Sequence, residues 1–494
     1  MKYSLKDSLE SIRMSLAFFG PELVLFLGAV IIVIFGLIWK DKPVIHHVTA
    51  LTVFIITCAL SVMLFQRSEM FTTLFTGSLR INAFSSFLKI LFSVSALLTV
   101  VMTWSERPGR SALSEYYIML IIVVLGANLL VSSENFLMAF LSLEVISIGS
   151  YILTAFSFNK KATEGSLKYF IFGSVASAVM LYGFSLLYGM TGTLSFTSIE
   201  FIQALSLSEP GLLFIAGTFS LAGFLYKIAA APMHPWAPDV YEAAPMPIVA
   251  FFSVVPKLAG IGVLAKFIVA LSLIEQSPVD WQLVLCGITI LTLTVGNFSA
   301  LWQKNVKRLM AYSSVGQSGF LLIAVLVLSE QGLQFLLFYA TVYVMLNFLV
   351  FIYLQYFENG GFTTIAAYVG SGKTYLWPAI FLLVGFIGLT GLPPTAGFTG
   401  KLFIFSALWD SYSVSHKPIL LWLLVFGLLN TVVSLFYYLR IPYYAFIKQG
   451  DSPKQGNNLI SLNLLGGILV LLVLLLFFSP GLLMGWINKT NFVF

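Results

Sequence analysis

The sequence predicts an all-α polytopic membrane protein with about 14 transmembrane helices. The 494-residue chain is 59% hydrophobic and 9% charged, whereas soluble domains carry roughly a quarter charged residues. Apolar stretches of about 20 residues, the length that spans the hydrocarbon core of a bilayer, recur from end to end. The alternating pattern of barrel strands does not occur in the sequence.

We count fourteen candidate spans, which begin near Leu16, Val44, Arg80, Glu115, Glu134, Ser166, Gly211, Met246, Val279, Val306, Gly332, Trp377, Pro418 and Ile460. Lysine and arginine accumulate in cytoplasmic loops. With the N-terminus outside, the inner loops hold 14 of these residues and the outer segments hold 7. This ratio predicts that both termini lie on the outer side. The first residues lack the profile of a signal peptide, so we expect the first helix to be retained.

Two regions of the apolar pattern are interrupted. Between spans seven and eight, AAAPMHPWAPDVYEAAPMP contains five prolines and cannot be one continuous helix. Span twelve is interrupted by GLTGLPPTAGFTG. Broken spans at corresponding places in two halves indicate inverted repeats with the working site at the breaks. We therefore expect an N-terminal three-helix segment (1–114), a five-helix bundle (115–272), a second, inverted five-helix bundle (279–446) and a C-terminal helix (456–494).

Charged side chains are rare inside the spans. Among acidic residues, only Glu144 lies well inside one, while Lys227 and Lys257 flank the first break and Lys401 follows the second. A lysine at mid-bilayer costs about 2.5–3.5 kcal/mol, and buried ionisable groups usually mark a transport pathway. We interpret Glu144 and the three lysines as a proton relay. The alternative is a static ion pair that fixes helix packing.

Five further residues allow more than one interpretation. His234 lies between two prolines of the first break and suits a proton hop between the lysines, or it closes the break by hydrogen bonds to freed carbonyls. Asp239 and Glu242 are candidates for proton entry or caps of the next helix, and we favour caps. We interpret Lys89 and Lys266 as lysines that reach to the membrane interface, and leave them out of the relay.

The sequence offers no motif for a nucleotide, flavin, haem, metal ion or iron–sulfur cluster. The two cysteines, Cys58 and Cys286, lie far apart in apolar runs and build neither a ligand cluster nor a disulfide framework. The net charge of +6 comes from residues in loops and does not indicate nucleic-acid binding. We expect a transport protein without a redox centre or cofactor of its own.

Several segments, in order, resemble motifs of one known family. They include SLEVISIGSYILTAF, YKIAAAPMHPWAPDVYEAAP, SVVPKLAGIGVLAKF, NVKRLMAYSS and GLPPTAGFTGKLFIF. The family is that of the antiporter-like subunits of proton-pumping NADH–quinone oxidoreductase, or respiratory complex I, which share a superfamily with Mrp-type antiporters. The segment WAPDVYEAAP and the lysine at position 401 most resemble subunit N. Subunit M typically has a glutamate there, and the long lateral helix of subunit L is not seen in this sequence.

The resemblance implies roles for the buried charges. Glu144 and Lys227 would be the functional pair of the first bundle, Lys257 the connecting lysine, and Lys401 the terminal lysine facing the second half-channel. Many relatives have a histidine in span ten where this chain has Gln317. Because glutamine can order a water but cannot carry a proton charge, the second half would depend more on water and on Lys401.

The resemblance also implies the surroundings of the chain. NADH, FMN, iron–sulfur clusters and quinone would bind in partner subunits. The partners would be the antiporter-like subunit M, the small subunits K and J, the lateral helix of subunit L and membrane lipid. The location would be the bacterial inner (plasma) membrane, with both termini periplasmic. One alternative function is a subunit of an Mrp-type cation/proton antiporter. A sodium pathway, however, needs more carboxylates or carbonyl rings than Glu144 supplies. The other alternative is a purely structural membrane anchor.

Overall fold

The computed structural model describes residues 5–40, 42–67, 72–106, 112–274, 279–450 and 460–488. This part of the chain is nearly all helical, which confirms the predicted fold class. The first eleven helices are α1 (Leu5–Phe18), α2 (Gly20–Ile38), α3 (Pro43–Gln66), α4 (Ala83–Glu106), α5 (Leu113–Ser132), α6 (Phe136–Thr154), α7 (Lys160–Thr191), α8 (Ile199–Ser206), α9 (Pro210–Lys227), α10 (Trp236–Ala243) and α11 (Met246–Ser272).

Ten further helices complete the described chain. They are α12 (Trp281–Leu301), α13 (Val306–Leu326), α14 (Glu330–Asn359), α15 (Ser371–Thr374), α16 (Leu376–Thr390), α17 (Ala396–Ser415), α18 (Pro418–Tyr438), α19 (Arg440–Phe446), α20 (Ile460–Phe478) and α21 (Gly481–Ile487). Two short strands, β1 (Thr72–Leu74) and β2 (Leu79–Ile81), form an antiparallel hairpin.

Each of the fourteen predicted spans contains a helix. Twelve helices in the described ranges are long and apolar enough to cross a membrane, or thirteen if the bent pair α20 and α21 is one span. Span twelve is divided, as the break predicted, into the shorter apolar helix α16 and helix α17. Of the basic residues used for the orientation, Lys2, Arg107, Arg110, Lys454 and Lys489 lie outside the described residues.

The helices form two compact units. The first contains the described residues of Met1–Ile228 and Val255–Trp281, and the second those of Ala229–Val254 and Gln282–Lys489. The division passes through α11, so the first unit holds α9 and most of α11, and the second unit holds the break and α10.

In the first unit, α3 packs on α4, α5 on α6, α6 on α7 and α7 on α9, while α2 packs on both α3 and α5. Helices α7 and α9 approach closely at Gly183, where a Cβ atom would lie 2.4 Å from the backbone nitrogen of Ser220. The start of α9 is capped by Glu209, whose carboxylate accepts the N–H groups of Gly211 and Leu212 at 3.0 and 2.7 Å. These hydrogen bonds hold the pKa of Glu209 below its usual value.

In the second unit, α14 packs against α13, α16, α17 and α20, and α10 packs against α13. The two halves of the broken span meet at Gly397, where a Cβ atom would lie 1.9 Å from the carbonyl oxygen of Gly388. Only glycine permits this approach. It brings the start of α17 against the end of α16 and so positions Lys401.

Two ion pairs are buried in the first unit. Lys89 Nζ lies 2.7 Å from Glu22 Oε1, and both side chains are 1% exposed. Lys266 Nζ lies 3.6 Å from Glu134 Oε1 and is also 1% exposed. The interpretation of these two lysines as reaching to the interface is therefore wrong, because each has a carboxylate within the protein. Glu22 is buried although it lies in the first turn of α2, at a helix end as the sequence predicted.

Replacing Glu22 by glutamine tests this buried pair. Glu22→Gln leaves the ammonium group of Lys89 buried without its counter-charge, and we expect the free energy of unfolding to fall by about 3–5 kcal/mol. The matched control is Glu164→Gln, which breaks the exposed pair between Glu164 and Lys168 at 2.9 Å and should cost at most about 0.5 kcal/mol. Thermal unfolding of the purified chain in detergent measures both. Equal losses in the two variants would contradict the assignment.

Candidate functional site

Lys227 is the last residue of α9 and is 1% exposed. Its Nζ donates a hydrogen bond to Ser147 Oγ of α6 at 3.2 Å, and it lies 5.9 Å from the ring centre of Tyr169 on α7. Tyr226, the preceding residue, donates to the carbonyl of Tyr169 at 2.8 Å. The end of α9 is thus held between α6 and α7, with the ammonium group directed at a serine.

Glu144 lies on α6, one turn before Ser147, and is half-buried. Its Oε1 accepts a hydrogen bond from the hydroxyl of Ser177 on α7. Within the described chain, Glu144 forms no direct ion pair with Lys227. Glu144 and Lys227 therefore each bind a different serine, and the sequence did not single out either serine.

Lys257 lies on α11 directly after Pro256, and is 1% exposed. One turn further along α11, Gly260 packs against the end of α9. A Cβ atom at Gly260 would lie 2.7 Å from Cγ2 of Ile228 and 3.5 Å from Cβ of Lys227. This close approach places the helix of Lys257 directly against the helix end that carries Lys227.

Lys401 lies on α17 in the second unit and is 4% exposed. Its Nζ donates to the carbonyl of Thr390, the last residue of α16, at 2.8 Å and lies 4.0 Å from the ring centre of Phe320. The last carbonyls of a helix are unsatisfied and carry the negative end of its dipole. The break in span twelve therefore creates the acceptor that holds the ammonium group.

Gln317 of α13 is 2% exposed and fully hydrogen-bonded. Its Nε2 donates to the carbonyl of Leu389 at 3.0 Å and to the hydroxyl of Tyr438 at 3.1 Å. Its Oε1 accepts from the hydroxyl of Tyr339. The residue thus binds the same end of α16 that receives Lys401.

His234 lies in the second unit, in the irregular segment between α9 and α10. It is half-buried, its ring is hydrogen-bonded to the backbone of Pro232, and its Nδ1 has no hydrogen-bond partner among the described residues. The contact with Pro232 is of the kind that closes a break. The Nδ1 atom, which has no partner among the described residues, is available to exchange a proton.

Asp239 and Glu242 of α10 bind Arg308 in the first turn of α13. The guanidinium Nη1 lies 2.8 Å from Asp239 Oδ1 and 3.0 Å from Glu242 Oε2. Both carboxylates thus serve to fix α10 on α13, a contact that neither interpretation from the sequence included.

A family profile described as "NADH:quinone oxidoreductase/Mrp antiporter, TM" matches residues 133–433. The matched region contains Glu144, Lys227, Lys257 and Lys401. The chain belongs to this family. Among the residues that the structure describes, no group of three or more histidine, cysteine, aspartate or glutamate side chains is arranged to hold a metal ion.

Within the family, the chain is similar to NADH-quinone oxidoreductase subunit N of Chlorobium chlorochromatii (strain CaD3). The two are 35% identical over 496 residues, which cover 96% of this chain and 95% of that protein. A chain of respiratory complex I from Thermus thermophilus is 27% identical with a TM-score of 0.78, over 94% of this chain and 98% of that one. The predicted resemblance to subunit N is confirmed.

The same fold also occurs in a chain of an Mrp complex. A chain of the Mrp complex from Dietzia sp. DQ12-45-1b has a TM-score of 0.82 over 96% of each chain. It is 17% identical, so this likeness concerns the fold alone.

For this member of the NADH:quinone oxidoreductase/Mrp antiporter family, the structure adds residues that the sequence did not reveal. Four of them are neutral, Ser147, Ser177, Tyr339 and Tyr438. The fifth is Arg308, which the sequence placed in a loop. Serine and tyrosine are common in membrane helices, so a sequence pattern does not distinguish them. One sequence signal does point to Ser147, because it lies three residues after Glu144 on the same helix face.

Substitution of Gly260 tests the packing of α11 against the Lys227 helix end. Gly260→Ala places a methyl group within 2.7 Å of the branched side chain of Ile228, and overpacking of this kind costs about 1–3 kcal/mol. Gly189→Ala on α7 is the control, since nothing lies within 4 Å of a Cβ atom there. Thermal unfolding in detergent should show a loss for Gly260→Ala and none for Gly189→Ala. An unchanged Gly260→Ala variant would refute the close approach.

Proposed function

We propose that this chain is a proton-translocating membrane subunit, subunit N, of an NADH–quinone oxidoreductase. Protons would move through its buried glutamate and lysine residues, driven by quinone reduction in partner subunits. The observation that carries the proposal is the site around Lys227. A lysine that is 1% exposed ends a membrane helix against Ser147, and Glu144 lies one turn before that serine on α6. The similarity to subunit N over 96% of the chain supports the same function.

The geometry around Lys227 suits a switch. Because Glu144 is half-buried while Lys227 is fully buried, a change outside the chain can reach the carboxylate before it reaches the lysine. The attraction between opposite charges is strong in a medium of low dielectric constant. When the negative charge of Glu144 is neutralised or drawn away, the ammonium group of Lys227 loses this attraction and releases its proton. The hydroxyl of Ser147, 3.2 Å from Nζ, is the nearest acceptor.

The proton would pass next to Lys257 and Lys401, with His234 as an intermediate carrier in the break. Lys401 is held by the end of α16, where a helix dipole stabilises a cation by about 0.3–1 kcal/mol. The ring of Phe320 adds a cation–π contact of about 0.5–2 kcal/mol. A site with several moderate attractions can hold a proton and still release it.

We also propose the wider setting that the family implies. The residues 115–272 and 279–446 would be inverted repeats, each with a lysine at a broken helix. The chain would lie in the bacterial inner membrane with both termini periplasmic, beside subunits M, K and J and the lateral helix of subunit L. NADH, FMN, iron–sulfur clusters and quinone would bind in partner subunits.

A subunit of an Mrp-type cation/proton antiporter is the second candidate. The shared fold with the Dietzia Mrp chain favours it, but that chain is 17% identical, whereas the Chlorobium subunit N is 35% identical. Genomic neighbourhood separates the two, because genes for quinone oxidoreductase subunits and genes for small antiporter subunits occur in different clusters.

Removal of the Lys227 ammonium group tests the relay. In the assembled complex in membrane vesicles, Lys227→Ala should lower proton pumping and coupled quinone reduction about tenfold or more, which is the loss of about 1.4 kcal/mol of transition-state stabilisation. Lys168→Ala, which removes an exposed lysine of α7, should leave both rates unchanged. Fluorescence quenching of a pH-sensitive dye measures pumping, and rates are divided by the amount of assembled complex. Normal pumping by the Lys227→Ala complex would refute the proposal.

Lys401 provides a second test in the other unit. Lys401→Ala removes the group that binds the end of α16, and we expect a comparable loss of pumping. If neutralising the lysines alters the amount of complex but not the pumping rate per complex, the chain is a structural anchor instead.

A further inference from the structure

A cavity of about 660 Å³ lies in the first unit, beside the ends of three neighbouring helices. Its walls come from the start of α5, from the end of α6 with the 3₁₀ turn Ala155–Ser157 that follows it, and from the first turns of α7. Pockets that bind small molecules commonly have volumes of about 300–1,000 Å³. Neither Glu144 nor any of the relay lysines lines the cavity, so it is separate from the site described above.

Most of the lining is apolar. The larger apolar side chains are Ile152, Phe156, Leu167 and Phe170. Leu167 and Phe170 are 56% and 52% exposed, although both lie on α7, a helix long and apolar enough to cross a membrane. An apolar molecule from the bilayer can therefore reach this wall of the cavity and cover it.

Phe158 borders the cavity with a ring that is 76% exposed. Its backbone has a φ of 48°, in the left-handed region that is unfavourable for residues with a side chain. The turn holds it there, since the N–H group of Phe158 donates to the carbonyl of Ala155 at 2.9 Å. Strained residues of this kind cluster at ligand sites.

The polar groups of the lining leave one acceptor for a ligand. On α7, the hydroxyls of Ser166 and Thr163 each donate to a backbone carbonyl, at 2.7 and 3.1 Å. Glu115 is the only charged residue in the lining. One of its oxygens accepts from the hydroxyl of Ser114 at 2.7 Å, and among the described residues Glu115 forms no ion pair. This carboxylate suits a cationic hydrogen-bond donor.

Positive charge lies at the start of α7. Lys160 and Lys161 are both exposed, and they stand between the lining residues Phe158 and Thr163. The first turn of a helix adds the positive end of the helix dipole. The cavity thus has an anionic acceptor on α5 and cationic donors beside it on α7. These two charges are complementary to a headgroup that carries an ammonium group and a phosphate.

We propose that the cavity binds one membrane phospholipid with a primary ammonium headgroup, phosphatidylethanolamine. An acyl chain lies against Leu167 and Phe170. The ammonium group donates to Glu115, and the phosphate faces Lys160. A primary ammonium group has three N–H donors, whereas the quaternary group of phosphatidylcholine has none. A headgroup with a phosphate and no ammonium group would meet Glu115 as a like charge.

Photochemical labelling of the assembled complex tests the site. The complex is reconstituted in phosphatidylcholine vesicles that contain a small share of phosphatidylethanolamine with a diazirine in its acyl chain, and mass spectrometry locates the label. We expect labels at the end of α6 and the start of α7, and added unlabelled phosphatidylethanolamine should remove them. A phosphatidylcholine probe with the same acyl chain should label these segments about threefold less or weaker still, because it lacks the charge-assisted hydrogen bond.

Glu115→Gln tests the headgroup contact. It should lower labelling by the phosphatidylethanolamine probe to the level of the phosphatidylcholine probe, because the amide carries no charge. The control is Glu164→Gln, which removes an exposed carboxylate of α7 outside the cavity lining and should leave labelling unchanged. Equal labelling by both probes, with no effect of Glu115→Gln, would mean non-selective contact with lipid and would overturn the proposal.

Leu167→Trp tests the acyl-chain position by filling the cavity. It should reduce labelling by both probes, whereas Leu181→Trp on the same helix, at a residue that is 47% exposed and outside the lining, should not. Labelling is divided by the amount of assembled complex, so that poor assembly is not mistaken for lost binding. If the segments are labelled in the isolated chain but not in the assembled complex, a partner subunit covers the cavity and the lipid site is refuted.

Discussion

A charged group buried in hydrocarbon loses its hydration, and the protein must replace that hydration with partners of its own. This constraint explains how the charges in the two units are placed. Lys89 and Lys266 are each matched to a carboxylate, and Lys401 receives a helix carbonyl and an aromatic face. Lys227 is matched only in part, by a serine and by a carboxylate that does not touch it. A fully paired lysine is held in one state, whereas a partly paired lysine can change state, so Lys227 is suited to transport.

The helix breaks follow from the same constraint. An unbroken membrane helix satisfies all its backbone groups except those at its ends. A break in the bilayer exposes new helix ends, and therefore new carbonyl groups, at depths where water is scarce. At the end of α16 these carbonyls bind Lys401 and Gln317. At the end of α9 the break makes Lys227 the terminal residue, so the helix dipole itself favours the ammonium group.

The sequence was sufficient for the fold class, because apolar length and low charge are properties of segments and need no knowledge of contacts. It was sufficient for the breaks, since proline and glycine act locally. It was insufficient for Glu22, which looked like the polar start of a helix until α4 placed Lys89 beside it. It was also insufficient for the serines that bind Glu144 and Lys227. Side chains that meet across helices depend on helix rotation, and one residue of rotation turns a side chain by about 100°.

The two units place different chemistry around their lysines. The first unit concentrates charge, with Glu22, Glu134 and Glu144 each near a lysine. Around Lys401, the second unit uses neutral hydroxyl and amide groups instead. A charged pair responds when a neighbouring charge changes. It is therefore suited to sense a change of charge outside the chain. A neutral group such as the Gln317 amide does not respond in this way, but it holds the neighbouring tyrosine hydroxyls in a fixed arrangement. Under the proposed relay, Lys401 would carry the proton charge at this site, while Gln317 would hold the end of α16 that receives its ammonium group.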